Sequence, residues 1–205
     1  MRSSRRQRSI PQAARYKLSV LVCGVPARVR TTQADIILEL NRQTIGRPVE
    51  LLALTDNKSM SVGDKRNLLL SCATGDYVTF VDDDDMVTVD YVPTLLEAIE
   101  NGTDVITFGV KQTETMGDKQ IIRMMEFDIA YGKNHSLNGV KRFIPDHLCC
   151  FKRGVALQAE FPNKSLGEDH IWAERVLPFI KSQHKIDKVM YYYNFDKNKS
   201  ETRKR

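Results

Sequence analysis

Apolar and polar positions follow two rhythms through the first half of the chain. Short apolar runs, Lys17 to Cys23, Val49 to Leu54 and Tyr77 to Val81, alternate with longer stretches in which apolar residues recur every three or four positions. The first rhythm predicts buried strands, the second amphipathic helices, and their alternation a parallel sheet with crossover helices. Ile36, Ile37 and Leu40 share one face of the first helix, Thr32 and Asp35 form a capping box, and Gly46 with Pro48 closes it. Gly63 and Asp64 open the second helix, with Leu68, Leu69 and Cys72 inward, and Thr74-Gly75-Asp76 ends it. Right-handed crossovers place the ends of all three strands on one edge of the sheet, where ligands bind in open parallel sheets. Three loops, Gly24 to Arg30, Thr55 to Gly63 and Asp82 to Asp85, are therefore expected to converge on one crevice.

The second half is less regular. Asp90 to Glu100 predicts a helix stopped by Asn101-Gly102, and Asp104 to Val110 a buried strand. The turn Met116-Gly117-Asp118-Lys119 predicts a hairpin into Gln120 to Met124. Glu126 to Pro145 carries little pattern and is a candidate acceptor region. His147 to Lys152 predicts a strand, Glu168 to Ile180 a helix, and Lys188 to Asn194 a last strand rich in tyrosine. No internal repeat is visible.

The 205 residues suit one ordinary globular domain, with 41% hydrophobic and 28% charged positions. The net charge of +5 sits at the ends: residues 1–15 hold five arginines, and residues 197–205 hold five Lys/Arg against one Glu. Between them lie 25 acidic and 21 basic side chains, so the body is mildly acidic. The expected organisation is a disordered basic tail over 1–15, a folded domain over 16–196 and a mobile basic tail over 197–205. The tails offer at most weak attraction to anionic surfaces, and no aromatic residue interleaves the N-terminal charges as a base-stacking surface would require. No apolar run approaches the ~18 residues of a membrane span and no signal-peptide core follows the N-terminus, so the expectation is a cytoplasmic protein. Cys23, Cys72, Cys149 and Cys150 lack zinc-site spacing and read as free, buried thiols.

Four consecutive aspartates, Asp82 to Asp85, end the third strand. Their mutual repulsion calls for positive charge. With a strand's period of two, Asp82 and Asp84 project to one side and Asp83 and Asp85 to the other, so one pair can share a cation. Mg²⁺ and Mn²⁺ are held in this style, by one or two carboxylates and the oxygens of a bound diphosphate. An acidic turn or loose Ca²⁺ site is the alternative. An EF-hand is excluded because its glycine and terminal glutamate are missing.

The stretch from Gly63 to Asp85, GDKRNLLLSCATGDYVTFVDDDD, resembles the core of the family 2 glycosyltransferases of GT-A fold. That family shows a Gly-x-x-Arg-Asn helix, a Gly-Asp-Tyr turn, an apolar strand and an Asp-x-Asp metal motif; the similarity extends more weakly from Leu18 to Tyr193. It implies a single Rossmann-like α/β domain, a mostly parallel sheet flanked by helices, with a small antiparallel hairpin region. The implied activity is metal-dependent, inverting transfer of a sugar from a nucleotide diphosphate donor, UDP-linked by preference, to a glycan, lipid, protein or nucleic-acid hydroxyl. Asp84 would bind Mn²⁺ or Mg²⁺, with Asp82 near the ribose or assisting at the metal. Pro26, Arg28, Asp56, Lys65, Arg66, Asp82 and Asp83 are the candidate nucleotide-sugar contacts. Thr55-Asp56-Asn57-Lys58 departs from the family's Asp-Asp-Gly-Ser, which weakens Asp56, and Arg66 reads equally as a helix-surface charge.

Transfer with inversion needs a carboxylate to deprotonate the acceptor hydroxyl, whereas a metal can neutralise the departing diphosphate. Gly167-Glu168-Asp169 resembles the family's Glu-Asp motif, which implies Asp169 as the base and Glu168 as a supporting or acceptor-binding carboxylate. Asp169 also reads as a helix cap, and the two roles coexist only on different oxygens. His147, His170 and Lys199 are candidates for acceptor or diphosphate contact, while a satisfied structural histidine is the competing reading of His147. Two other classes stay open: a nucleotidyltransferase, disfavoured by the single glycine of Cys23 to Arg28, and a non-catalytic nucleic-acid or carbohydrate-binding module using the basic ends.

Overall fold

The computed structural model describes residues 16–196. Three strands, β1 (Leu18–Gly24), β2 (Val49–Thr55) and β3 (Tyr77–Asp82), run parallel with β1 in the centre. Every residue of β1 is buried, as a strand covered on both faces must be. Helix α1 (Thr32–Thr44) and helix α2 (Val62–Cys72) make the crossovers. Beyond them come β4 (Met86–Val87), α3 (Tyr91–Ile99), β5 (Val105–Met116), β6 (Lys119–Phe127), β7 (His135–Leu137), β8 (Val140–Phe143), β9 (Cys150–Lys152), α4 (Arg153–Ala156), α5 (Glu168–Val176) and β10 (Gln183–Asp196). One sheet runs in the order β2-β1-β3-β9-β5-β6-β8-β7, with β10 paired parallel to β5 and antiparallel to β4. The result is a mixed α/β fold with a mostly parallel central sheet.

Strand β9 lies antiparallel between β3 and β5. Cys150 pairs with Thr79 and Lys152 with Tyr77, so the residues just before β9 lie beside the carboxyl end of β3. A chain segment far from Asp82 in sequence is thereby delivered to it.

Several expectations need correction. Thr31, not Thr32, is the residue before α1, and it makes no side-chain cap bond; the capping box does not form. Ser61 caps α2 instead, accepting from the Asp64 amide at 3.0 Å. The inward face of α2 is Gly63, Lys65, Arg66, Leu69 and Leu70, whereas Leu68 and Cys72 point outward. All four cysteines are free, but Cys72 is exposed. The strand predicted over 147–152 shrinks to Cys150–Lys152, because the Cys149 amide turns back to the Asp146 carbonyl at 3.0 Å. Helix α5 stops at Val176 and a 3-10 turn containing Pro178 follows; the last strand is longer than predicted and bulged between Ile186 and Tyr191.

The aspartates do not continue as a strand. Backbone pairing ends at Asp82, and the Asp85 amide reaches back to the Asp82 carbonyl at 3.2 Å, which makes 82–85 a tight turn. The extended backbone expected for the run is therefore lost, yet exposure still alternates along it, with Asp82 and Asp84 partly exposed and Asp83 and Asp85 buried. Among the described residues no helix is long and apolar enough to cross a membrane.

Candidate active site

The three loops predicted to converge do so through buried ion pairs. Lys65, 2% exposed, sends its ammonium from α2 to the Gly24 carbonyl at 2.8 Å and to Asp56 Oδ1 at 3.0 Å. Asp56 Oδ2 also accepts from the Met60 amide at 2.8 Å and the Ser59 hydroxyl at 3.1 Å. The Met60 bond and Lys65 together hold the Asp56 carboxyl well below its usual range. The first and third loops are joined by Asp83, which accepts from the Val25 amide at 2.8 Å and from Arg28 at 2.6 Å. The other end of the Arg28 guanidinium lies 2.8 Å from Asp84 Oδ2, and exposed Pro26 begins the short 3-10 turn that presents Arg28.

Beneath the crevice lies Arg66, its side chain 4% exposed. One guanidinium nitrogen donates to Asp82 Oδ1 and another to Glu168 Oε1, each at 2.8 Å. Its plane rests near Phe161 and Phe80, 5.6 and 6.0 Å from the ring centroids, and Phe161 stacks on Trp172. Neighbouring Asn67 exchanges two 2.9 Å hydrogen bonds with the Phe161 backbone. The Arg-Asn pair thus fastens α2 to the segment leading into α5. Gly63 makes room for it: a Cβ there would sit 2.0 Å from the Pro162 carbonyl oxygen. Gly63→Ala is therefore expected to cost about 1–3 kcal/mol of stability, read as a lower thermal midpoint and weaker ligand binding; an unchanged midpoint would contradict this packing.

Gly167, at φ 72°, supplies the left-handed turn that starts α5. Glu168 is buried against Arg66; burial raises its carboxyl, and Arg66 opposes the rise. Asp169 remains partly exposed, at 39%. It is not the helix cap, a position Gly167 holds, yet its Oδ1 accepts from the His170 amide at 2.8 Å and so satisfies one free first-turn donor. Among the described residues Oδ2 accepts no hydrogen bond comparable to this one and lies 3.9 Å from His147 Nδ1.

His147, 4% exposed, stands between the two halves. Its Nε2 lies 3.4 Å from Asp82 Oδ2, while Nδ1 has no hydrogen bond and lies 3.9 Å from both Asp146 Oδ1 and Asp169 Oδ2. Burial and Arg66 disfavour its protonation, but Asp82 and Asp146 outweigh them and raise its pKa. On the far side Asn134, Phe143, Asp146, Asp169, His170 and Ala173 line a cavity of about 350 Å³. Exposed His170 meets Asn134 at 3.1 Å across this mouth. Burial pushes the Asp146 carboxyl up to about 6, with His147 opposing.

The aspartates divide their tasks. Asp83 and Asp85, 2% and 1% exposed, are anchors; Asp82 and Asp84, with side chains 22% and 33% exposed, can still meet a ligand. Burial, then repulsion from Asp82, pushes Asp84 up to about 6 against the pull of Arg28. Burial also acts on Asp82, but Arg66 and His147 prevail and hold it far below the usual range. Among the described residues no three Asp, Glu, His or Cys side chains form a ready cage, so a metal held by Asp82 and Asp84 would need further oxygens from water or a ligand.

Each sequence-level candidate within the described residues thus has a place. Pro26, Arg28, Asp82 and Asp84 line the mouth; Lys65, Arg66, Asp56, Asp83 and Glu168 brace it from below; His147, Asp169 and His170 lead to the cavity. Lys199, like both basic tails, lies outside the described residues. Asp146 and Asn134 were missed, because no local pattern distinguishes them from loop residues, while Asn67 of the Arg-Asn motif and Asp85 of the acidic run had been given no role of their own.

The sequence model described as Glycosyl transferase family 2 matches residues 35–158. No curated protein matches in sequence. Among solved structures, S. aureus TarS 1-349 superposes with a TM-score of 0.61 at 17% identity, over 87% of this chain and 60% of that one. Its complex with UDP-GlcNAc gives 0.58 at 16%, over 87% and 58%, and its complex with UDP gives 0.61 at 17%, over 87% and 60%. The chain thus spans under two thirds of TarS 1-349, and at this identity the likeness speaks for the fold alone.

Proposed function

The chain belongs to glycosyl transferase family 2, and from that membership we propose that it moves a sugar, with inversion, from a nucleoside diphosphate donor to an acceptor hydroxyl. A UDP-linked donor is favoured, since structural relatives were solved with UDP-GlcNAc and UDP. The observation that carries this reading is the place of His147, whose two ring nitrogens face Asp82 on the donor side and Asp169 on the cavity side.

Asp169 Oδ2 takes the proton of an acceptor hydroxyl held in the cavity lined by Asn134, Phe143 and His170. That oxygen attacks the anomeric carbon, and the bond from carbon to phosphate oxygen breaks with its electron pair leaving on the diphosphate. Arg28, at the mouth, provides positive charge beside the leaving group. Asp84 and Asp82 fit a hard divalent cation: both offer partly exposed carboxylate oxygens on one tight turn. Bound there, Mg²⁺ or Mn²⁺ would neutralise the charge developing on the diphosphate.

Calorimetry with a panel of nucleotide sugars tests the proposal. Donor binding is expected to fall by about tenfold or more in EDTA, the equivalent of ~1.4 kcal/mol, and to return with excess Mn²⁺ or Mg²⁺. Binding that ignored EDTA but dropped steeply with salt would instead mark a charge-driven binding module.

A further inference from the structure

The turn carrying Asp82 and Asp84 is gripped from both flanks, and one grip comes from the far end of the chain. The Tyr191 hydroxyl donates to Asp85 Oδ2 at 2.8 Å and accepts from the Asp82 amide at 3.0 Å. Asp85 Oδ1 accepts from the Asn194 amide at 2.7 Å. The Asn194 side chain reaches the Asp84 carbonyl at 3.4 Å. Strand pairing of Tyr191 with Val87 and Tyr192 with Met86, plus a 3.0 Å bond from the Thr88 amide to the Met190 carbonyl, continues the contact past the turn.

A buried tyrosine needs a partner for its hydroxyl, but a backbone carbonyl would serve. Here the partner is a carboxylate only 1% exposed, in a run of four acids, and Tyr191 itself is 0% exposed. Sequestering a carboxyl group so completely is costly without compensating bonds. The arrangement withdraws Asp85 from the crevice and fixes both ends of the turn by one hydroxyl, which leaves Asp82 and Asp84 facing the ligand side. On this geometry, and resting on the proposed function above, we infer that Tyr191 and Asp85 are positioning residues: a latch on β10 that holds the aspartate turn in its ligand-binding shape.

Tyr191→Phe removes the hydroxyl and nothing else. Tyr91→Phe is the matched control, because Tyr91 is equally buried and its hydroxyl bonds Thr79 in the core. Hydrogen exchange of the 82–87 peptide is expected to quicken in Tyr191→Phe and in Asp85→Asn but not in Tyr91→Phe. Affinity for UDP in Mn²⁺ is expected to fall about tenfold in Tyr191→Phe, the scale of one hydrogen bond, and to hold in the control. Exchange and affinity like wild type in Tyr191→Phe, or equal losses in Tyr91→Phe, would overturn the latch. If exchange quickens as expected while wild-type protein binds no UDP with Mn²⁺, the latch stands and the proposed donor chemistry fails.

Discussion

Asp169→Asn is expected to lower kcat by about 10²- to 10⁴-fold, the usual worth of a general base, while donor affinity stays at the wild-type level. The amide keeps the carboxylate's shape, and its oxygen can still accept from the His170 amide. The side chain is 39% exposed, so no buried charge is lost and the fold should be indifferent. What disappears is a basic oxygen at Oδ2. Steady-state kinetics with a competent acceptor, beside calorimetry with the donor alone, separates the two effects. Full turnover in this variant would remove Asp169 from the role. Should Asp146→Asn then prove inactive, the base would be Asp146, the other carboxylate facing His147 Nδ1.

Arg66→Met should have the largest effect on stability, about 3–5 kcal/mol, which for a domain of this size lowers the thermal midpoint by roughly 6–20 °C. Arg66 is the shared partner of Asp82 and Glu168 over an aromatic floor, and methionine would fill the volume while leaving both acids without it. In the wild type Asp82 is depressed far below its unfolded value, so its contribution is present at neutral pH and lost in acid as pH falls through the folded pKa. In the variant burial dominates and raises both carboxyls, so they destabilise at neutral pH and are relieved by protonation. The gap between the two proteins should therefore narrow from pH 7 towards pH 5. Arg66→Lys, which keeps the charge but loses the fork, should fall between them. A gap constant across that range would show that the loss is one of packing alone.

The β-α-β-α-β unit was legible because its strands are continuous apolar runs covered on both faces, a signal written locally. So was the place of the acidic run, which the crossover rule puts at the ligand-binding edge. The inward face of α2 was not. Counting apolar positions selected Leu68, Leu69 and Cys72, yet beside Leu69 and Leu70 the buried side chains are Lys65 and Arg66, made tolerable by Asp56, Asp82 and Glu168. Glu168 lies 102 residues from Arg66, and no window along the chain contains both. His147 shows the same limit: as a short, antiparallel insertion between β3 and β5, β9 alone explains why that imidazole meets Asp82. The four aspartates keep the expected pairing, Asp82 and Asp84 partly exposed and Asp83 and Asp85 buried, but a turn produces it, because the strand ends one residue into the run.

Local chemistry was thus decided by sequence alone: which segments become strands or helices, where four acids gather, and which Glu-Asp pair opens a late helix. These depend on each residue and its near neighbours, through burial periodicity and backbone preference. Tertiary structure alone decided which acids are anchors and which face a ligand, because a carboxylate's state depends on the charges and donors folded against it. Arg28, Arg66, His147 and Tyr191 reach that cluster from four separate stretches of chain. Electrostatic energy depends on distance through space, and only the folded chain sets that distance.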